Sequence, residues 1–450
     1  STQLNALSST NLQALTTAQN AALTTAQAAN LTSTQLNLLE TSDLAALNTA
    51  AVASLTSTQL NALTSTNLQA LTTAQAAKLS TTAVANLTST QLNLMETSDV
   101  AALSTGQVAV LTSTQLNALT STNLQALTTT QMPGLSTTAV ANLTTTQLNL
   151  LETSDVAALS TGAVASLTST QLNALTSTNL QALSTVQNGV LTSTQAANLT
   201  STQLNLMQTS DVAALGTAAV ASLTSTQLNA LTSTNLQALT TAQAAALTTT
   251  QVSNLTSTQL NALQTSDLAA LNTAAVGSLS STQLNALSST NLAALSTAQV
   301  SKLTTTQVAA LTSTQLNLME TTDVAALTTT QVSNLTSTQL NGLDTTHLGA
   351  LSSVQVASLT STQVNALSAG NLAALTTTQV AGLTTTQASN LTSTQLEGLQ
   401  TSDMAALSTA AVASLTSTQL NALGSTNLQA ISTAQAAALT TTQVSNLTST

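Results

Sequence analysis

Every eighth residue of this chain is a large aliphatic, from Leu7, Leu15 and Leu23 onward to Leu447, without a single slip. The run comprises (447 − 7)/8 + 1 = 56 consecutive positions, all Leu except Met95, Met207, Met319 and Ile431. With this aliphatic as position 1, position 2 is polar or Gly, mostly Thr or Ser. Position 3 is Ser or Thr throughout, apart from Ala369, and position 5 is usually Gln, Asn or Asp. Position 6 is Leu or Val in most units, sometimes Ala or Met, with Asn20 and Asn188 as polar exceptions, so the consensus reads L-T-[ST]-T-Q-[LV]-x-x. One continuous helix cannot carry this pattern. Eight residues advance about 800°, and the roughly 80° of drift per octad would wind the Leu stripe around the rod. A straight strand fails too, because positions 1 and 6 are an odd number apart and fall on opposite faces. The chain must bend in every octad, which predicts a solenoid with the Leu residues stacked inside.

Local chemistry favours an all-α solenoid of very short capped helices, one per 8-residue repeat. Thr at position 2 acts as N-cap, Gln at position 5 reaches back to the cap backbone, and positions 1 and 6 form the hydrophobic staple. Each helix would span five or six residues, or ~8 Å at 1.5 Å per residue, and would persist only by packing against its neighbours. Where position 2 is a poor cap, as in Glu96-Thr97-Ser98-Asp99, Thr97 is expected to take over and Asp99 to favour the helix N-terminus. The alternative is a β-solenoid, supported by the T-x-T triplets and by β-branched Thr and Val, but it explains Gln at position 5 less economically.

A second period sits above the octad. Asn11, Asn67, Asn123, Asn179 and Asn235 recur every seven octads, as do Asp43, Asp99, Asp155, Asp211, Asp267 and Asp323. The next Asp in the series, Asp403, follows Asp323 after ten octads instead of seven, so three are added. The expected organisation is a single continuous octad-repeat solenoid over residues 1–450, with three extra octads between 324 and 403. Both ends fall inside an octad, Ser1 at position 3 and Thr450 at position 4, so a segment of a longer array, or a subunit stacking end to end, is expected. The opening STQLNAL shows no signal peptide, an observation with little weight inside a repeat.

Composition narrows the chemistry. Cys, Trp, Tyr and Phe are absent, which removes thiolates, disulfides, zinc-cysteine sites and stacking platforms. Lys78 and Lys302 are the only basic side chains against a net charge of -11, so no nucleic-acid partner is expected. No run approaches the ~20 apolar residues of a membrane span. Catalytic, cofactor and metal residues are expected to be none. The lone His347 stands at position 5 near Asp344, as a substitution at a capping position. A calcium ladder along the Asp series lacks the glycine-rich nonapeptide, and these acids are expected to be helix N-terminal charges that keep the chain soluble. Asn30, Asn86, Asn142, Asn198, Asn254, Asn334, Asn390 and Asn446 each open Asn-Leu-Thr, an N-glycosylation acceptor, although any Asn at position 8 creates one automatically. Met132-Pro133-Gly134 is expected to break the regular turn locally, and the other methionines to be core.

The Leu-Thr-x-x-Gln pattern resembles repeat tracts in very large secreted or surface proteins of bacteria, over the whole chain. That resemblance implies an extracellular or cell-surface location and a structural or adhesive role. The expected function is a non-enzymatic subunit of a filament or surface fibre, self-associating end to end or laterally, with a glycan as a further partner. Trypsin would have only two cleavage sites in it. The alternative is a binding module presenting Thr, Asn and Gln arrays. T-x-T resembles the flat arrays of ice-binding and ice-nucleating β-solenoids, but the ice-nucleation octad is rich in Gly and Tyr, and this chain has no Tyr and 12 Gly.

Overall fold

The computed structural model describes residues 2–448. Every complete octad but one holds a short α-helix that opens at position 3 and runs four to six residues, and no strand forms among the described residues. The β-solenoid alternative fails for a local reason: the T-x-T triplet straddles a helix start. Thr56 is extended at φ −80, ψ 158, Ser57–Asn61 is helical, and Gln59 closes the capping box. The β-branched side chain is therefore used once, at the extended N-cap, rather than along a ribbon.

Two extended residues turn the chain between helices. Leu31 lies at φ −62, ψ 136 and Thr32 at φ −71, ψ 155, leading from Thr25–Asn30 into Ser33–Leu38. Among the described residues no residue adopts positive φ. A bend made from β-region residues has no requirement for Gly, which is why glycine shows no octad period.

The chain divides into two compact units, residues 1–227 and 228–450. In the first, Thr25–Asn30 packs on Thr49–Ala53 and Ser193–Asn198 on Thr217–Ser222, each three octads ahead. Gln59 donates to the Leu31 carbonyl, three octads back, and to the Ala28 carbonyl, four octads back. The cross-turn bonds thus reach three to four octads, and the helices that pack on one another stand three octads apart. The second unit repeats this: Ser361–Asn365 packs on Thr385–Asn390, and Gln379 bonds Leu351 and Leu348.

The core is the stack of positions 1 and 6. Leu55 and Leu60 are buried, as are the methionines Met95, Met132, Met207, Met319 and Met404. Full burial of one such side chain stabilises by roughly 1.5–3 kcal/mol, which is what holds helices too short to stand alone. The exceptional octad is that of Met132–Gly134, a 3-10 turn instead of an α-helix, with Pro133 in its first turn. It keeps its phase, since Leu127 and Leu135 remain buried. Gly134 serves close approach: a Cβ there would stand 2.9 Å from the Thr105 carbonyl oxygen.

Candidate functional site: the clasps between turns

Position 5 carries the chemistry that joins one turn to the next. Gln59 accepts the Thr56 N–H at Oε1 (2.7 Å), while its own N–H donates to Thr56 Oγ1 (3.3 Å). Its Nε2 then donates across the turn, to Leu31 O (2.7 Å) and Ala28 O (3.1 Å). One side chain closes its own helix cap and fastens the Leu31 carbonyl and that of Ala28, which already takes the Leu31 N–H, in the turn below. Each such bond adds on the order of 1 kcal/mol net, and a buried carbonyl left open costs about 1–3. Asn at position 7 works in the opposite direction. Asn61 Nδ2 donates to Asn86 O (2.8 Å) and its Oδ1 accepts the Thr88 N–H (2.9 Å).

The cross-turn role of Gln is not foreseen from the capping box, which uses only its oxygen. A sequence signal for it exists nonetheless. Glu satisfies a capping box as well as Gln does, yet Glu stands at position 5 in no octad of the chain.

The Asp series is corrected by the structure. Asp43, Asp99, Asp155, Asp211, Asp267, Asp323 and Asp403 are not solvated helix charges; each is buried. They occupy the cross-turn slot, and a small side chain there points at the turn below rather than at water. Burial pushes the Asp99 carboxyl up to about 6, with the charge of Glu96 adding to the rise. Burial likewise raises Asp155 and Asp323, each beside a Glu, and Asp267 and Asp403. Asp211 is raised by burial too, although hydrogen bonds from the Gln208 backbone and the Asn188 side chain pull it down. Asn188 stands at a core position three octads before the Asp211 octad, as Asn20 does before that of Asp43, and its Nδ2 donates locally to Leu183 O and Ser184 O (3.2 Å each).

The cap at these octads is also corrected. Thr97 does not take over; Glu96 remains the N-cap at φ −65, ψ 148, without a side-chain bond, and the helix is Thr97–Ala102. The staple made by positions 1 and 6 fixes where the helix starts, whatever residue stands at position 2.

His347 takes over the cross-turn task of Gln but not the box, since the Asp344 N–H goes to Asn317 Oδ1 (3.1 Å). Its N–H donates to Asp344 Oδ1 (2.9 Å), Nδ1 lies 2.7 Å from the same oxygen, and Nε2 lies 3.0 Å from Met319 O, three octads back. Burial opposes charge on the ring but is outweighed by the Met319 carbonyl and by Asp344, so its pKa is raised. Asp344 is lowered, first by the His347 backbone N–H and then by the ring.

The eight sequon residues Asn30, Asn86, Asn142, Asn198, Asn254, Asn334, Asn390 and Asn446 are all exposed at helix ends. In seven of them, all but Asn446, Nδ2 is engaged locally, as in Asn86 to Thr82 O (2.8 Å) and Asn390 to Thr386 O (2.7 Å). The structure does not gather them into one site. Among the described residues no three His, Cys, Asp or Glu side chains group as metal ligands, and no helix is long and apolar enough to cross a membrane.

No curated protein matches this chain. A family model described as the ALTTAQ repeat matches residues 37–73, 92–129, 149–185, 204–241, 260–297, 317–353 and 396–430. These seven matches cover more than half of the sequence, and each spans octads that carry capped helices and cross-turn clasps; the chain belongs to the ALTTAQ repeat family.

Proposed function

We propose that this repeat protein is a structural element without catalytic activity, a subunit of an extracellular filament or surface fibre. The observation that supports this reading is the character of an interior turn. Each presents position-5 Gln and Asn amides toward the preceding turn, and carbonyls together with position-7 Asn side chains toward the following one, at the same spacing. Such a surface matches a further turn from the same chain or from a second copy, so growth by stacking needs no new contact. The location outside the cell follows the resemblance to bacterial surface tracts and suits a chain with only two lysines for trypsin to find. Electron microscopy with sedimentation over a range of concentrations tests it. Fibres that lengthen with concentration are expected, and a monodisperse monomer at every concentration would remove the filament.

A glycan partner has its own observation: eight exposed sequon residues, most of them seven octads apart in sequence. Intact-mass measurement of the protein from its native host, before and after glycosidase, decides it. The ice-binding alternative has lost the strand that would have carried its Thr array. Thermal hysteresis in a dilute solution would restore it.

A further inference from the structure

Six buried carboxyls have no hydrogen to donate across the turn while ionised. Asp99, Asp155, Asp211, Asp267, Asp323 and Asp403 stand where neighbouring octads place an amide that donates to the turn below. Asn427 shows what a side chain of this size reaches from position 5: its Nδ2 lies 2.8 Å from Glu397 O, 3.2 Å from Leu399 O and 3.3 Å from Leu396 O. A carboxylate of the same shape sets oxygen against oxygen and has no hydrogen to give. Consistent with that, Oδ2 of Asp155, Asp267, Asp323 and Asp403 is buried with no hydrogen-bond partner.

We propose that these six carboxyls are proton-operated clasps: each takes up a proton as the surroundings turn acid, donates it to a carbonyl of the turn below, and so tightens the coil. The acceptors are set by the spacing seen at Asn427, which for Asp323 gives Leu292 O and Leu295 O. A neutral carboxyl carries the hydrogen that such a carbonyl can accept.

The electrostatic surroundings favour the neutral form. Glu96, Glu152 and Glu320 precede Asp99, Asp155 and Asp323 at the helix caps. The helices packed on Asp99 (Thr73–Ala76 and Ser121–Gln125) contain no ionisable residue, and Lys78 follows the first. None lies in Met132–Gly134 or Ser177–Gln181 beside Asp155, in Thr185–Gly189 beside Asp211, or in Thr241–Ala246 and Ser289–Ala293 beside Asp267. Asp323 packs on Thr297–Val300, which Lys302 follows, and on Thr345–Ala350, which bears His347 with Asp344 at its cap. Asp403 packs on Thr377–Ala381 and Ser425–Gln429, which have none, and Glu397 lies just before it in sequence.

The direction follows from linkage. A carboxyl raised in the folded chain contributes stability that is complete below the ordinary carboxylate range and is lost as pH rises, through about 6 for Asp99. His347 stands in the same phase, seven octads before Asp403, and both its ring nitrogens face acceptors, so it too is satisfied only when fully protonated.

Urea unfolding of the full chain between about pH 8 and about pH 5 reads the effect, and the midpoint should rise as pH falls. Asp→Asn at all six positions should flatten that slope and give at the alkaline end a midpoint no lower than the native chain has at the acid end. A native midpoint that is flat or falls on acidification, or a sixfold variant that keeps the native slope, overturns the proposal. Infrared spectroscopy of the unsubstituted protein gives a readout that needs no variant. A carbonyl band of protonated carboxyl should grow as pH falls through about 6 and vanish in urea; no such band at the acid end overturns the proposal equally.

Discussion

Thr297–Val300 and Thr321–Ala325 lie side by side in the second unit, one turn apart, and differ at the residue that should join them to the turns below. Gln299 accepts the Ser296 N–H and donates to Leu268 O (2.9 Å), Ala269 O (3.2 Å) and Leu271 O (2.7 Å). Asp323 is equally buried, has no side-chain bond from its cap Glu320, and leaves Oδ2 without a partner. Both helices nevertheless form and both keep Val at position 6 in the core. The stacking of positions 1 and 6 therefore suffices to place an octad, and position 5 sets how firmly that octad is tied. His347, on the adjacent turn, shows a third solution in which an imidazole takes over the amide's donor role.

The comparison is broken most severely by Gln299→Asp. The variant removes three donated bonds and buries a carboxylate against carbonyls, a loss of about 3 kcal/mol near neutral pH. The loss should shrink on acidification, because the new carboxyl would be raised by burial as its neighbour Asp323 is. Urea midpoints at about pH 7.5 and about pH 5 read both parts; a loss that grows in acid would contradict the clasp geometry. Gln299→Glu separates the two tasks of the residue, since Glu caps as well as Gln does but cannot donate. About 2 kcal/mol should be lost, against about 1 for Ser296→Ala, which removes only the cap. No loss from Gln299→Glu would mean that the amide contributes nothing across the turn.

Most of the local architecture is legible in the sequence because it depends on neighbours within one octad. Thr at position 2, Gln at position 5 and aliphatics at positions 1 and 6 specify a cap, a box and a staple without reference to the rest of the chain. The cross-turn slot depends on residues three and four octads away, and nothing in a single octad declares which carbonyls lie beneath it. Asp99 is accordingly legible as a helix-start charge and not as a buried group. Its burial is a consequence of the turn length, which the octad leaves open between three and four units. The higher period does not supply it, because a period alone does not distinguish structure from duplication.

Asp323→Asn sharpens the comparison in the other direction. Asn291, four octads before Asp323, already shows an Asn in this slot, with Nδ2 3.2 Å from Leu260 O. The substitution supplies the missing donor at every pH, so a gain of about 1 kcal/mol is expected near pH 7.5, disappearing toward pH 5, where the native carboxyl donates for itself. A gain that persists unchanged in acid would show that Asp323 stays ionised there.

The smallest expected effect separates the cap from the clasp within one octad. Glu320 caps its helix through backbone geometry alone and raises Asp323 by its charge, after burial and against the backbone bond to Glu320 itself. Glu320→Thr restores the side-chain cap found in most octads, worth about 0.5–1 kcal/mol, and removes that charge. The pKa of Asp323 should fall as a result, which moves acid tightening at this octad to lower pH while the helix starts at the same residue. The urea midpoint should rise slightly and the protonated-carboxyl band should appear later in an acid titration. If the band does not move, burial alone sets the protonation of this clasp and the paired acids at positions 2 and 5 are independent of one another.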